Sequence, residues 1–248
     1  MKSAPMAAAA ALLLSASCAR KIAPAYKGSA AAPPAITFQN VSQAAGLRFR
    51  FATSPPTRPR NILEVTGGGA GFLDFDGDGW PDIVLVGERV GLFRNLGNGT
   101  FQDVSSRSGI SVKGALMGCA VADYDNDGRV DVLDNSQNMP AALYHNEARA
   151  GHFITLRLEG TRTNRDGIGA KVIIEVAGKQ VLAEVRDGSS YASTSDRRIH
   201  FGLASKRYVE RLTVRWPSGS IQTFHRVPAD HFYVVREDSG IAPDPRIR

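Results

Sequence analysis

The sequence predicts an all-β protein, and three observations lead to that prediction. From His152 onward, seven short segments alternate apolar and polar residues, which is the pattern of strands that bury one face. Earlier in the chain, short β-branched runs such as IVLVG (residues 83–87) are punctuated by glycine. No segment carries a convincing apolar repeat of the helical period.

Residues 1–18 have the composition of an export signal. Lys2 gives a positive start, and the apolar core from Ala7 to Leu14 is too short to span a bilayer. Small residues precede Cys18, so the segment resembles a bacterial lipoprotein signal whose cysteine becomes lipidated, with ordinary cleavage nearby as the alternative. We expect an exported protein, periplasmic or at the cell surface, held to the membrane only by a lipid, with secretion as the alternative.

The rest of the chain divides into four parts. Residues 19–36 are rich in Ala, Pro, Lys and Gly and are expected to form a flexible linker. Residues 37–148 are expected to form a repeat region and residues 149–237 a second domain. Residues 238–248 follow the last alternating segment and are expected to be a disordered tail.

The most informative part of the sequence is a pair of aspartate-rich stretches 49 residues apart. They are DFDGDGWPD (residues 74–82) and DYDNDGRVD (residues 123–131), and both fit D-x-D-x-D-G-x-x-D. Mutual repulsion disfavours such a cluster unless a cation lies among the oxygen atoms. Ordinary acidic turns are the alternative, since Asp and Gly also favour turns.

We expect each stretch to bind calcium, giving about two ions, because calcium takes about 6–8 oxygen ligands and magnesium keeps more of its water. The expected ligands in the first stretch are the side chains of Asp74, Asp76, Asp78 and Asp82 and the backbone carbonyl of Trp80. Those in the second are the side chains of Asp123, Asp125, Asp127 and Asp131 and the backbone carbonyl of Arg129. Gly79 and Gly128 would supply the sharp turns, and Phe75 and Tyr124 are expected to pack inward.

The EF-hand does not explain these stretches. Its loop requires Glu at position twelve, where this chain has Leu85 and Asp134. The flanking segments have the character of strands, so each aspartate loop is expected to join two strands. The segments GLFRN (residues 91–95) and ALYHN (residues 142–146) occupy equivalent places after the two loops, which indicates an internal repeat.

Local patterns predict further details. The run at residues 37–60 resembles a strand with a turn at Gly46, and Asn98-Gly99 predicts a hairpin. The seven alternating segments predict a small β-sandwich or barrel, with Phe201 and Trp216 in its core. Cys119 lies in an apolar run and is expected to be a buried free thiol, with a disulfide to Cys18 as the alternative.

The sequence carries no recognised catalytic motif. None of the five histidines lies in a zinc-binding pattern, and GSSYAS is not a nucleophile elbow. The segment TNRDGIG (residues 163–169) has glycines without the strand–turn–helix setting of a phosphate loop. We interpret it as a tight loop buttressed by Asn164 and Arg165, with a ligand contact as the open alternative. The basic residues behind the net charge of +6 are dispersed, which argues against nucleic-acid binding.

Two parts of the chain resemble known families. The blocks GGGAGFLDFDGDGWPDIVLV and MGCAVADYDNDGRVDVLDN, with GNGTF between them, resemble FG-GAP (VCBS) repeats. The segments LEGTRTNRDGIGAKV, VRDGSSYASTSDRRIHFGL and VRWPSGSIQTF resemble the ASPIC/UnbV domain. This order is that of the cartilage acidic protein-like family. The resemblance implies propeller-type blades with calcium loops, and an extracytoplasmic binding or adhesion role without an established catalytic activity.

The number of repeats departs from that family. A propeller needs about 4–8 blades to close, and this chain has two aspartate loops. We therefore expect blades that dock on the C-terminal domain, that associate with other copies, or whose open edges are covered by a protein or carbohydrate partner. The expected function is a non-catalytic, calcium-binding interaction module. An enzyme with an unrecognised site, acting for example on cell-surface carbohydrate, and a remnant of a longer relative are the alternatives.

Overall fold

The computed structural model describes residues 38–51, 68–112, 116–136, 140–191 and 193–247. These residues form an all-β fold, as predicted, with one short 3-10 helix at Ser105–Arg107. The strands are β1 Gly69–Leu73, β2 Asp82–Val86, β3 Val90–Asn95, β4 Phe101–Asp103, β5 Leu116–Ala122, β6 Asp131–Ser136, β7 Ala142–Tyr144, β8 His152–Glu159, β9 Lys171–Val176, β10 Lys179–Glu184, β11 Ile199–Ala204, β12 Tyr208–Arg215, β13 Ile221–Pro228, β14 His231–Arg236 and β15 Gly240–Pro243. No helix among the described residues is long and apolar enough to cross a membrane.

The repeat region consists of two antiparallel meanders, β1-β2-β3-β4 and β5-β6-β7. Each aspartate loop joins the first two strands of its meander, because the last residue pairs are Leu73 with Asp82 and Ala122 with Asp131. The two sheets share one apolar core, to which β2 and β3 contribute Val84 and Leu92. Within the part of the chain that the structure describes, these two sheets do not close into a propeller.

Two local predictions in the repeat region are confirmed and one is wrong. The hairpin at Asn98-Gly99 joins β3 to β4, where the N–H of Leu96 donates to the carbonyl of Thr100 at 3.0 Å. Cys119 is a free thiol with 1 % of its surface exposed. The strand expected in residues 37–60 is absent from its described part, residues 38–51, which contains the turn ending at Gly46 and bonds to β4 through the Ala45 carbonyl and the Phe101 N–H; residues 37 and 52–60 lie outside the described residues.

The C-terminal domain is a sandwich of two four-stranded sheets, ordered β10-β9-β12-β13 and β11-β8-β14-β15. One continuous core contains residues from both sheets, so their apolar faces pack together. Phe201 and Trp216 lie in this core, as predicted, with 5 % and 3 % exposure. The strands are antiparallel to their neighbours except for β8 and β14, which run parallel.

The predicted disordered tail at residues 238–248 is wrong. Residues Gly240–Pro243 form β15, which pairs antiparallel with β14, so the domain has eight strands instead of seven. After β15, both carboxylate oxygens of Asp244 accept hydrogen bonds from the Arg157 guanidinium, at 2.7 and 3.0 Å. The segment GIAP is short and does not alternate, so its strand depends on an edge that only the folded sheet provides. The predicted signal at residues 1–18, the linker at residues 19–36, and Cys18 lie outside the described residues.

Candidate metal centres

The two aspartate loops fold around their own carboxylates in the same way. In the first, Asp74 accepts hydrogen bonds from the backbone N–H groups of Asp78 at 3.1 Å and Gly79 at 2.8 Å. In the second, the N–H groups of Asp127 and Gly128 donate to Asp123 at 3.1 and 3.0 Å. Gly79 and Gly128 both have φ of 87°, the left-handed conformation expected at the sharp turn.

The final aspartate of each loop is buried. It accepts one hydrogen bond from the start of its own loop and one from the end of the third strand of its meander or just beyond it. Asp82 is 0 % exposed and accepts hydrogen bonds from the N–H groups of Phe75 at 3.0 Å and Asn95 at 2.7 Å. Asp131 is 2 % exposed and has the equivalent bonds, from Tyr124 at 3.2 Å and Asn146 at 2.7 Å. The repeat seen in the sequence is therefore also a repeat of hydrogen bonds.

The carboxylates converge closely enough to hold a cation. Oxygen atoms of Asp74, Asp76 and Asp78 lie within 4.8 Å of one another, and those of Asp123, Asp125 and Asp131 form a second such group. All-oxygen donor sets suit calcium.

The raised pKa values of carboxylates in these clusters also favour cation binding. Burial raises the pKa of Asp74 to about 6, with Asp76 and Asp78 adding to the effect, although backbone N–H bonds oppose it. Burial likewise raises the pKa of Asp82 to about 7 and that of Asp123 to about 6. A carboxylate whose charge is this poorly compensated is stabilised by a nearby cation. The residues present therefore fit a calcium ion.

The predictions for the other loop residues, Trp80, Arg129, Phe75 and Tyr124, differ in how far the structure bears on them. The N–H groups of Trp80 and Arg129 donate to Asp78 and Asp127, each at 2.9 Å, while ligation through their carbonyls stays a prediction. Phe75 packs on the apolar core of the repeat region, as predicted. The prediction for Tyr124 is wrong, since its side chain is 50 % exposed and lies edge-on to the His145 ring.

Two residues at the loops were missed by sequence reasoning. The Nε of Arg94 lies 2.5 Å from Asp76, and its Nη2 lies 3.1 Å from Asp78. His145 Nδ1 lies 3.3 Å from Asp131 and 3.5 Å from Asp125, and its Nε2 lies 3.7 Å from Asp127. Alignment of GLFRN with ALYHN places Arg94 and His145 at equivalent positions, so the internal repeat could have predicted a basic residue beside each loop.

Both loops also pack on the C-terminal domain. The Ala204 N–H donates to the Gly77 carbonyl at 2.9 Å, and a Cβ atom at Gly202 would lie 1.9 Å from Asp74 Oδ2. A Cβ atom at Gly128 would lie 2.1 Å from the Phe153 ring. The strands that contact the loops are β8 and β11, so blade docking, one of the three expected solutions for the open repeats, occurs within the chain.

Two further contacts hold the second loop in place. Arg198 of the C-terminal domain donates to the backbone carbonyl of Asp123 at 2.7 Å and to the side chain of Asn126 at 2.6 Å. Asn146 Nδ2 donates to the Phe75 carbonyl at 2.8 Å, which connects the second repeat directly to the first loop. The two candidate centres therefore belong to one continuous set of contacts.

Comparisons with known proteins agree with this architecture. Residues 74–133 match the FG-GAP-like repeat, and residues 160–242 match the family described as ASPIC and UnbV. A stretch of 54 residues is 41 % identical to cartilage acidic protein 1 of Xenopus tropicalis; it covers 21 % of this chain and 8 % of that protein. The chain thus spans a small part of the length of this relative. The first match contains both aspartate loops and the second covers most of the sandwich, so the chain is similar to FG-GAP-like repeats in its repeat region and to the ASPIC/UnbV family in its C-terminal domain.

Proposed function

We propose that this protein is a non-catalytic interaction module in which calcium at the two aspartate loops secures the repeat region to the ASPIC/UnbV domain. The observation that carries the proposal is that two loops with matching hydrogen bonds both pack against the same strand pair, β8 and β11. A duplicated acidic loop at a domain contact has a structural use for a cation, because neutralising its carboxylates stabilises both the loop and the contact.

The residues that would hold the first ion are Asp74, Asp76 and Asp78, with Asp82 orienting the loop from β2. Those for the second are Asp123, Asp125 and Asp131, with Asp127 beside His145. The ion supplies positive charge that offsets the mutual repulsion of the carboxylates. The chain itself fixes the loops through the backbone N–H donors that already bind Asp74 and Asp123.

We further propose that the protein acts outside the cytoplasm, on the support of the signal-like residues 1–18, and that it binds a protein or carbohydrate at the cell surface. Sheets with open edges favour such contacts, and self-association through these edges is the competing arrangement. Light scattering of the full chain distinguishes them: a concentration-dependent mass supports self-association, and a constant monomer mass argues against it.

The calcium role is tested by thermal unfolding of the full chain in chelator and in millimolar calcium. An ion present at about 100 times its Kd stabilises the folded state by about 2.7 kcal/mol, which raises Tm by about 5 °C or more for a chain of this size. Asp76→Asn and Asp125→Asn should each reduce the increase. Asp103→Asn, at an aspartate outside the loops, is the matched control. An identical Tm in chelator and calcium would sink the proposal.

A further inference from the structure

The C-terminal domain contains an arginine-lined cleft, and one of its arginines, Arg198, also contacts the backbone of the second aspartate loop. Its volume is about 350 Å³, within the usual size range of small-ligand sites. Five arginines line it, which are Arg157, Arg165, Arg197, Arg198 and Arg246. Three carboxylates and Leu158 complete the lining.

The carboxylates of the cleft are already paired with arginines. Asp166 accepts a hydrogen bond from Arg197 at 2.9 Å, and Asp196 accepts one from Arg198 at 2.5 Å. Glu159 pairs with Arg157 and with Arg236, which lies 2.8 Å away. Arg157 is also held by Asp244, so ion pairs that build the walls of the cleft engage three of its five arginines, Arg157, Arg197 and Arg198.

Two guanidinium groups remain available. Among the described residues, Arg165 is exposed and its guanidinium has no hydrogen-bond or ion-pair partner. The Arg246 side chain is 62 % exposed and comes within only 3.8 Å of a Glu159 oxygen. A cleft that retains one unpaired guanidinium, of Arg165, and a second that makes only a long ion pair, of Arg246, can receive an anionic ligand at little cost to existing contacts.

The backbone that carries Arg165 is held in place before any ligand arrives. The N–H groups of Thr161, Arg162 and Thr163 all donate to one oxygen of Glu237, at 2.8 to 3.0 Å. Asn164 then clamps the turn, since its Nδ2 donates to the Ile168 carbonyl and its Oδ1 accepts from the Ile168 N–H. A fixed backbone lowers the entropic cost of placing the arginine on a ligand.

From these contacts we propose that the cleft binds a small ligand with two oxyanionic groups, of the kind presented by carboxylated or sulfated sugars. Guanidinium groups bind carboxylate and sulfate through paired hydrogen bonds, and the unpaired Arg165 and the weakly paired Arg246 in one cleft suit two such anions. The cleft volume of about 350 Å³ suits a small ligand and not a nucleic-acid chain. This site goes beyond the calcium role and supplies a chemical class for the ligand of the proposed interaction module.

The test is isothermal titration calorimetry on the full chain in saturating calcium. The probes are a sulfated disaccharide, a galacturonic acid disaccharide, the uncharged parent of each, and inorganic sulfate. We expect at least one charged disaccharide to bind and its uncharged parent not to bind. Which of the two binds identifies the source of the oxyanion. Failure of both to bind at millimolar concentration, or equal affinity for inorganic sulfate, overturns the proposal.

Variants locate the site. Arg165→Ala and Arg246→Ala should each weaken binding of the charged disaccharide by about tenfold or more, since hydrogen bonds to a charged group are lost. Arg107→Ala, on the exposed 3-10 helix of the repeat region, removes the same charge and should leave binding unchanged. Equal loss in all three variants would mean unspecific charge attraction and would refute the cleft, as would tighter binding of duplex DNA than of either disaccharide.

The outcome is separable from that of the calcium proposal. The Arg165 guanidinium has no hydrogen-bond or ion-pair partner among the described residues, and its backbone bond from the Gly160 N–H is kept in Arg165→Ala, so this replacement should not alter the Tm increase caused by calcium. Disaccharide binding without any effect of calcium on Tm would refute the metal role and leave the cleft supported. A calcium effect with no disaccharide binding would refute the cleft alone.

Discussion

Arg94 and His145 occupy the same position in the two repeats, each beside the carboxylates of its own aspartate loop. The two loops are thus alike in backbone and differ in the basic side chains that face their carboxylates. Arg94 pairs with Asp76 and Asp78 in the first loop, whereas in the second Arg129 pairs with Asp127 and the His145 imidazole lies beside Asp131. A guanidinium therefore competes with a bound metal ion in both loops, and in the first loop it engages two of the carboxylates that would hold the ion.

Replacing Arg94 with Gln should tighten calcium binding at the first loop. The half-exposed guanidinium pairs with Asp76 and Asp78, and exposed ion pairs are worth about 0.2–1 kcal/mol, so the expected gain in affinity is up to about fivefold. Calorimetric titration in an Asp125→Asn background, which disables the second loop, measures it. Weaker binding in the variant would show that Arg94 organises the site instead of competing for it.

Calcium should stabilise the protein more at pH 8 than at pH 5.5. Burial raises the folded-state pKa of Asp74 and Asp123 to about 6 and that of Asp82 to about 7. Because the folded-state pKa is raised, these carboxylates stabilise the metal-free fold fully at pH values below their pKa in the unfolded chain. This contribution to the free energy of unfolding is lost as pH rises through 6 to 7. Calcium offsets that loss because it binds the ionised form.

The measurement for this pH effect is the difference in Tm between calcium and chelator at several pH values. The difference should grow between pH 5.5 and pH 8. A difference that stays constant over this range would mean that protons do not compete with the ion for these carboxylates.

Glu237→Gln should destabilise the C-terminal domain by roughly 1.5–3 kcal/mol, the range for hydrogen bonds to a charged group. Burial alone would raise the Glu237 pKa, but hydrogen bonds from Ser218 and from three backbone N–H groups outweigh it and lower the pKa to about 2. Because the folded pKa is depressed, this contribution is complete above about pH 4.5 and is lost as pH falls toward 2.

Urea unfolding at pH 7 and pH 3 tests the role of Glu237, with Glu210→Gln as a control at an exposed carboxylate that accepts one backbone bond. The difference between wild type and Glu237→Gln should shrink at pH 3. A Glu237→Gln protein as stable as wild type at pH 7 would rule out the anchoring role.

Gly202→Ala should weaken the first aspartate loop selectively. An added Cβ would lie 1.9 Å from Asp74 Oδ2 and 2.8 Å from the Gly77 backbone, and such overpacking typically costs about 1–3 kcal/mol. Calcium affinity measured in the Asp125→Asn background should fall. In an Asp76→Asn background, where only the second loop binds, it should remain close to its value without the glycine change. Equal losses at both loops would point to general unfolding.

The sequence was sufficient for most features that depend on local periodicity or spacing, although the strand expected near Gly46 and the inward packing of Tyr124 were wrong. The alternating segments predicted the sandwich with Phe201 and Trp216 in its core, and the spacing of Asp74 to Asp82 predicted a loop between two strands. What it could not supply depended on partners distant in the chain. A side chain at position 202 is excluded because Asp74 packs against Gly202, which only the folded structure shows. Likewise, β15 forms because β14 offers an edge with which it can pair.

The hydrogen bond from Asn146 to the Phe75 carbonyl has a thermodynamic consequence. The backbone N–H of Asn146 also donates to Asp131 of the second loop, while the N–H of Phe75 donates to Asp82 of the first. Ordering either loop therefore orders part of the other before its own ion arrives. By linkage, each ion lowers the free-energy cost of binding the next, so occupancy of the two loops should rise together with a Hill coefficient above one.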